Sequence, residues 1–246
     1  MTNDEYIKIA DEYEIDSFIE SSSIKFGYRY IEKKDIEIAC LISHWLSYGE
    51  YSKYMIKIDN ILTNIMQNKP YEYIMSGLWI KYKDDYTCLY KVISWHNFAC
   101  LCEKLRFIYI NFKDLEDAMI INFKDKRNKF KYYYQSLCAL LSGESMIPTP
   151  MSNNINVRIN RFLMCMIRNN SNVDIGIWDN FKKNDLIVPC DTKMVTISKN
   201  LGIINKIDEN IYTAIAITNF AKKIFSNDPS KMYYALYGIG KNVSKI

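Results

Sequence analysis

The chain has 246 residues, 49% of them hydrophobic and 24% charged, so it can bury the core of one large domain or of two small lobes. It contains no run of about eighteen uncharged apolar residues, and its N-terminal residues lack the positive charge and apolar core of a secretory signal. We therefore expect a soluble, cytoplasmic protein and exclude a membrane-spanning or secreted one.

The formal net charge of +4 is unevenly distributed along the chain. The first 40 residues hold ten acidic and five basic residues, so the remainder carries a net charge of +9. Basic residues are densest just before a run of three tyrosines, and basic side chains mixed with aromatic ones suit a polyanion such as nucleic acid. We predict a DNA-binding surface here, with a solvated loop between helices as the alternative. Its basic residues are Lys124, Lys126, Arg127, Lys129 and Lys131.

The first part of the chain is predicted to be helical. Apolar residues recur at spacings of three and four, the pattern of an amphipathic helix, and no convincing period-two strand is present. Gly49 separates the second and third of these segments. The predicted helices span 5–20, 35–48, 53–66, 71–80, 95–110, 112–122 and 130–142.

Residues 146–154 form the clearest internal boundary. Pro148 and Pro150, together with clustered Ser and Asn, favour turns over helix. We therefore expect a single unit with sub-lobes at about 1–145 and 146–246.

A helix is predicted directly after this boundary, over 155–169. Its apolar residues share one face, and Arg158, Arg161 and Arg168 lie on another. This arginine stripe could bind phosphates, and the alternative is a solvated helix face.

Two further helices are predicted near the end of the chain. One spans about 209–225. The other begins at Asp228 and Pro229, a pair typical of a helix start, and is expected to end at Gly238 and Gly240. The sequence as a whole indicates an all-α fold.

The seven cysteines are scattered and mostly lie in apolar helical patterns, so a disulfide framework is not expected. His96 and Cys100 stand four residues apart on a predicted helix and could share a metal. A zinc site needs a further pair of ligands, which the nearby sequence does not supply. We therefore favour core packing and predict no metal or other cofactor.

Asp191 is the main candidate for chemistry. It follows the apolar run that ends at Cys190 and precedes a helical segment that reaches Asn200. Its carboxylate can cap that helix by accepting backbone N–H groups. A fixed, ionised carboxylate can also stabilise a developing cation or orient a water. The residues alone leave both roles open.

Five segments in a fixed order carry a family resemblance. They are Arg158–Arg168, Val173–Trp178, Ile187–Lys193, Leu201–Gly202 and Asp228–Gly240. Their sequences resemble KRLNMFLRWMVR, VDLGIW, PLDTHT, LGL and DPVKYDFALFGLG, which are typical of an uncharacterised bacterial family within the helix-hairpin-helix DNA glycosylase superfamily. The resemblance implies two helical lobes with a cleft between them.

The resemblance also implies site residues. In that superfamily an aspartate at the position of Asp191 stabilises the sugar cation, or activates the nucleophile, after the damaged base has been flipped out of the duplex. For such a site we predict a base pocket that contains Trp178 and Trp45. The predicted nucleic-acid contacts are Arg158, Arg161, Arg168, Lys193, Asn153 and Asn154.

The chain departs from the family pattern at several positions. The lysine that forms a Schiff base in the glycosylases that also cut the strand aligns with Val157, the hairpin Gly-Ser with Asn153–Asn154, and a histidine with Lys193. No cysteine follows Cys190, so no iron–sulfur cluster is implied. The interval from Val157 to Asp191 is similar to that of archaeal 8-oxoguanine glycosylases and longer than that of endonuclease III.

We therefore predict a monomeric base-excision repair protein, associated with the nucleoid where it binds DNA. It would cleave the N-glycosidic bond of a flipped, damaged purine, with oxidised guanine preferred, and without the Schiff-base lysine. The alternative is a catalytically silent DNA-binding or structural member of the same fold. An RNA-directed or nucleoside-directed relative also stays open.

Overall fold

Residues 1–243 are described in the computed structural model, and they are mostly helical. The all-α class predicted from the sequence is confirmed at this level. In this part of the chain no helix combines the length and the apolar character needed to cross a bilayer.

Connections of different lengths join the elements, and the long ones lie before and after α9. Short 3₁₀ turns occur at Ser23–Arg29, Leu78–Tyr82, Lys183–Asp185 and Pro229–Lys231, and a π-helical turn at Ile61–Ile65 extends the fourth helix. The helices are α1 (Asn3–Tyr13), α2 (Asp16–Glu20), α3 (Lys33–Leu46), α4 (Tyr51–Asn60), α5 (Pro70–Ser76), α6 (Trp95–Asn111), α7 (Leu115–Lys124), α8 (Tyr133–Leu140), α9 (Val157–Ile167), α10 (Thr192–Asn200), α11 (Ile211–Ala221) and α12 (Met232–Val243).

A small hairpin interrupts the helical pattern. Strands β1 (Cys88–Tyr90) and β2 (Ile93–Ser94) pair antiparallel, with Cys88 opposite Ser94 and Tyr90 opposite Ile93. Lys91 makes the turn at φ +52°. Strands this short carry no readable alternation of apolar and polar residues, so the sequence did not predict them.

The helix predicted over 5–20 is in fact two helices. Glu14 leaves helical geometry at ψ +64°, and Ile15 is extended at φ −130° and ψ +159°. The chain therefore turns between α1 and α2, and Glu14 becomes available for a buried ion pair.

The chain forms two compact units. Unit 1 contains Met1–Ser22, Tyr132–Tyr134 and the chain from Met151 onward, and unit 2 contains Ser23–Lys131 and Gln135–Pro150. The transition at residues 150 and 151 falls inside the proline-containing turn. The first 22 residues join the C-terminal part of the chain, which differs from a simple division near residue 145.

Unit 2 is built around α3. Every residue of α3 from Ile36 to Leu46 is buried, including Glu37. The Glu37 carboxylate accepts hydrogen bonds from the backbone N–H groups of Leu115 and Glu116 and from the Tyr109 hydroxyl. A buried acid thus binds the N-terminus of α7, where the free backbone N–H groups and the helix dipole favour negative charge.

Unit 1 is built around α9 and α12. Every residue from Ile159 to Arg168 is buried, so α9 has no solvated face over that stretch. The last helix does not end at Gly238 and Gly240 as the sequence predicted, but continues through both glycines to Val243. That prediction is wrong because both glycines serve helix packing. A Cβ at Gly238 would lie 2.6 Å from Tyr13 Cε2 and 2.7 Å from Ile9 Cγ2.

We predict that Gly238→Ala destabilises the protein by about 1–3 kcal/mol, because the added methyl collides with α1. In a helix interior without such a collision, alanine stabilises the protein relative to glycine by about 0.5–1 kcal/mol. A loss of stability in Gly238→Ala would therefore show that the added methyl group collides with α1. Urea unfolding followed by circular dichroism measures it.

Gly240→Ala is the matched control. Its added Cβ would meet Ile197 Cδ1 at 2.9 Å and Lys193 Cε at 3.0 Å, and both atoms lie toward the ends of flexible side chains that can move. We expect a clearly smaller loss. Equal losses in the two variants would contradict the packing argument.

Candidate functional site

Asp191 is exposed, and its backbone is fixed. It is the N-cap of α10 at φ −89° and ψ +174°, and its Oδ1 accepts the Met194 N–H at 2.8 Å. The preceding residues are buried, and the Val188 N–H donates to the Thr218 hydroxyl at 2.9 Å. The Asp191 carboxylate is therefore exposed to solvent, while hydrogen bonds before and after it hold its backbone in place.

Helix α10 packs against α12. Lys193, which is exposed, and Ile197 both lie against Gly240. Tyr233 of α12 is partly exposed. Burial raises the pKa of Tyr233, Arg161 opposes this rise, and Asp191 adds to it.

Arg161 lies beneath Tyr233 and not on a solvated surface. Only 7% of it is exposed, and its guanidinium carbon is 4.3 Å from the centroid of the Tyr233 ring. Nη1 is 3.2 Å from Asp174 Oδ1, whereas Nη2 is buried and has no hydrogen-bond partner among the described residues. This geometry is a cation–π contact in a buried setting.

Arg168 is the centre of a buried ion-pair cluster. It is 1% exposed, and its guanidinium binds Glu14 at 2.7 Å, Asp228 at 2.8 Å, and Asp174. The Tyr234 hydroxyl donates to Asp174 Oδ2 at 2.8 Å. The sequence placed Arg161 and Arg168 on a phosphate-binding stripe. Their burial means that a phosphate could not reach either one without unfolding its surroundings.

The remaining predicted hairpin contacts lie at the start of α9. Asn153 and Asn154 are exposed, and Arg158 is partly exposed. Asn153 and Asn154 are tied to the segment before α11 by a bridge between Asn154 and Asn210 and by the Ile211 N–H, which donates to the Asn153 carbonyl at 2.9 Å.

The N-terminus of α9 has one unused side-chain donor. Asn156, its N-cap, is left-handed at φ +55° and makes no side-chain capping bond. Its buried Nδ2 has no hydrogen-bond partner in the described part of the chain. An amide donor at a helix N-terminus, where the helix dipole favours negative charge, suits a bound anion. Val157, the first residue of α9, is partly exposed and offers no amine.

The two predicted base-pocket tryptophans are both buried. Trp178 is 1% exposed and packs edge-to-face on Phe162, with ring centroids 5.5 Å apart. Trp45 is 3% exposed and belongs to unit 2, where its Nε1 donates to the Ser145 carbonyl at 2.8 Å. Each indole fills a core, so neither is open to a flipped base.

The basic segment in unit 2 is exposed at Lys124, Lys126, Lys129 and Lys131. Arg127 differs from these lysines because Asp125 binds its guanidinium through both carboxylate oxygens. That ion pair lowers the pKa of Asp125 to about 2. The lysines are therefore better placed than Arg127 to bind a polyanion.

His96 and Cys100 contact each other, with Nε2 and Sγ 3.4 Å apart, and the other ring nitrogen of His96 bonds the Lys83 carbonyl. Burial raises the pKa of the Cys100 thiol. In the described residues no three His, Cys, Asp or Glu side chains group as metal ligands. His96 and Cys100 therefore contact each other without a third metal ligand among the described residues.

A family profile matches most of the chain, from residue 23 to residue 242. The chain belongs to the family described as protein of unknown function DUF2400. Comparisons with curated proteins and with solved structures gave no match. The DUF2400 match excludes residues 1–22, although α1 and α2 pack within unit 1 and supply Glu14 to the Arg168 cluster.

Sequence reasoning missed three members of the site region. Tyr233 is one of three tyrosines in α12 and has no sequence feature that separates it from the others. Asp174 meets Arg168 across a loop outside any helix, and Glu14 meets Arg168 from 154 residues away, so helical spacing reveals neither pair. Arg161 follows Asn160 and Arg168 is followed by Asn169 and Asn170, so neither arginine of this DUF2400 chain is enclosed by apolar residues along the sequence.

We predict that Asp174→Asn lowers the free energy of unfolding by about 3–5 kcal/mol, because it leaves two buried arginines short of a counter-charge. Burial alone would raise the pKa of Asp174, but Arg161 and Arg168 outweigh it and hold the pKa below the ordinary 3.8. Because the pKa of Asp174 is lower in the folded state, its ionised carboxylate stabilises the fold at any pH above its pKa in the unfolded chain. This contribution is lost as the pH falls through the lower, folded-state value.

The measurement is urea unfolding at pH 7 and at steps below about pH 4. Wild type should lose stability over the acidic range more steeply than Asp174→Asn does. Lys206→Ala, which removes an exposed pair with Asp208 in the same unit, is the control and should change little. Parallel acid profiles for wild type and Asp174→Asn would contradict the assignment.

Proposed function

We propose that this DUF2400 chain is a DNA glycosylase-like protein with a helix-hairpin-helix fold, which cleaves the N-glycosidic bond of a flipped, damaged purine. Oxidised guanine is the preferred substrate. The observation that carries the proposal is Asp191, an exposed carboxylate on a fixed backbone.

In the proposed reaction, Asp191 acts mainly by electrostatic stabilisation of a positive charge. When the glycosidic bond breaks, its electron pair leaves with the base and positive charge develops on the sugar. A carboxylate held in place before the reaction stabilises that charge without having to reorganise. The same carboxylate can accept a proton from the water that attacks C1′.

The product should be an abasic site with an intact strand. A glycosylase that also cuts the strand uses an amine to form a Schiff base with the sugar. Val157 stands where the family pattern has that lysine, and its side chain cannot form one. Asp191 is therefore proposed to act by hydrolysis.

The proposed DNA contacts are phosphate contacts. The N-terminus of α9 offers the unused amide donor of Asn156 and the positive end of the helix dipole, and the partly exposed Arg158 lies in its first turn. The exposed lysines of the basic segment add positive charge. Lys193, exposed on the first turn of α10, adds a cation two residues from Asp191.

The second candidate is a catalytically silent DNA-binding or structural protein. The hydrogen bond from Met194 N–H gives Asp191 a purely structural role. The replacements at Val157, Asn153–Asn154 and Lys193 remove several of the family's usual companions. In this alternative the protein binds duplex DNA but releases no base.

Asp191→Asn tests the proposal. Asparagine caps a helix as well as aspartate does, so the fold should be kept while the negative charge is lost. We expect base release from an oxidised-guanine duplex to fall about 100-fold or more. Single-turnover release of the free base, followed by chromatography across a panel of lesions, measures it.

Asp179→Asn, a change at another exposed acid of unit 1, is the control and should release base at the wild-type rate. Unchanged release by Asp191→Asn would rule out the proposed role. Wild type that binds duplex but releases no base from any lesion would support the silent alternative. A borohydride-trapped adduct would contradict the hydrolytic mechanism, and its loss in Lys193→Ala would identify the amine.

We also predict a strong salt dependence of duplex binding. Each lysine–phosphate contact contributes a slope of about −0.9 in log K against log salt concentration. The double variant Lys126→Ala/Lys129→Ala loses two such contacts, so its slope should be less steep by about 1.8. Fluorescence anisotropy with an undamaged duplex at several salt concentrations measures the slope.

Arg127→Ala is the matched control, because Asp125 already neutralises that guanidinium. It should change the slope less than either lysine does. A slope unaffected by the double lysine change would show that the basic segment does not contact the duplex.

A further inference from the structure

Cys100 and His96 form a pair that the proposed function does not use. Both lie in the first turns of α6 in unit 2, four residues apart, and both are partly exposed. The Cys100 Sγ lies 3.4 Å from His96 Nε2. A thiol within hydrogen-bond reach of an imidazole nitrogen has the arrangement of a nucleophile beside its base.

The surroundings of His96 determine which of its ring nitrogens carries the proton. Nδ1 contacts the Lys83 carbonyl oxygen, which can only accept a hydrogen bond, so Nδ1 must be the donor. In the neutral ring Nε2 is then the acceptor, and the Cys100 S–H donates to it. The ring also stacks on Tyr86, with centroids 4.6 Å apart and planes at 23°. His96 is therefore held in the tautomer and the orientation that can take the thiol proton.

Exposure and a neighbouring base separate Cys100 from the other cysteines. The buried ones are Cys40, Cys102, Cys138, Cys165 and Cys190. Cys88 is exposed, but its thiol donates to the Lys91 carbonyl at 3.2 Å, and a carbonyl cannot take the proton away. Cys100 thus combines access to solvent with a group that can deprotonate it.

The Cys100 thiol needs that group in order to react. Burial raises its pKa, and the neighbouring Lys83 ammonium opposes this rise only in part. The thiol is therefore protonated at neutral pH, whereas the thiolate is the nucleophile. Attack by Cys100 on an electrophile thus depends on removal of the proton, and His96 Nε2 is placed to remove it.

We propose that Cys100 is a nucleophilic modification site for low-molecular-weight disulfides, with His96 as its general base. A disulfide suits this pair because its cleavage requires a thiolate and a proton for the departing sulfur. Acyl transfer would in addition require donors that stabilise an oxyanion. The site lies within unit 2 and is independent of the chemistry proposed for Asp191.

The exchange uses only the two side chains and the disulfide. The S–H proton passes to His96 Nε2 while the Cys100 sulfur attacks one sulfur of the disulfide. The S–S bond breaks, and the departing thiolate takes the proton from the imidazolium. The products are a mixed disulfide at Cys100 and one free thiol, so Cys100 is oxidised and half of the disulfide is reduced.

The test uses the full chain and an excess of the neutral disulfide 4,4′-dithiodipyridine. The coloured product gives the rate, and mass spectrometry of digested samples divides it between Cys100 and Cys88. In wild type Cys100 should react faster than Cys88, although Cys88 is the more exposed. His96→Asn should slow Cys100 about tenfold or more and leave Cys88 unchanged. Asparagine can still donate to the Lys83 carbonyl, so this variant should keep the local structure.

His96→Ala with added imidazole distinguishes a base from a packing residue. Alanine removes the ring, and imidazole from solution can replace the missing proton acceptor. The Cys100 rate should be as low as in His96→Asn and should rise with the imidazole concentration, whereas the Cys88 rate should not respond. Buried cysteines that stay unreactive show that each variant is folded.

Three results would overturn the proposal. The first is a wild-type Cys100 that reacts no faster than Cys88. The second is an equal Cys100 rate in wild type and His96→Asn, since proton removal by His96 would then not assist the attack. The third is a slow His96→Ala variant that imidazole does not accelerate, which would leave His96 with a packing role alone.

Discussion

The ion pairs of Arg168 are the constraint on which unit 1 depends. Arg168 joins Glu14 at the end of α1, Asp174 after α9 and Asp228 before α12. Buried charges are tolerated only when paired and hydrogen-bonded, so these three segments must meet at one point. Segments more than 150 residues apart are thereby fixed to one another.

This cluster also determines where α12 begins and what it carries. Asp228 was expected to cap the helix, but its carboxylate binds Arg168 and makes no capping bond. The chain then passes through a 3₁₀ turn before α12 starts at Met232. Two glycines on α12 admit α1 and α10 at close range. The position of α10, which begins directly after Asp191, therefore depends on a residue that has no side chain.

The sequence predicts the features that depend on local pattern. The long amphipathic helices and the capping role of Asp191 were readable because spacing and capping act within a few residues. Burial of Arg161 and Arg168 was not readable. Helical spacing says which residues share a face, but α9 is enclosed on all sides, and its partners come from distant segments. The same limit applies to Trp178 and Trp45, whose surroundings depend on tertiary packing.

Capping and catalysis are not competing explanations of Asp191. The cap occupies Oδ1 alone, so the second oxygen can face a ligand while the first holds the carboxylate at a defined angle. Preorganisation of this kind is what electrostatic stabilisation of a cation requires. The absence of an amine at Val157 then limits the chemistry, because a carboxylate without a nucleophilic lysine can assist departure of the base but cannot form a Schiff base with the sugar. A site with this composition would hand an intact abasic strand to a separate strand-cutting activity.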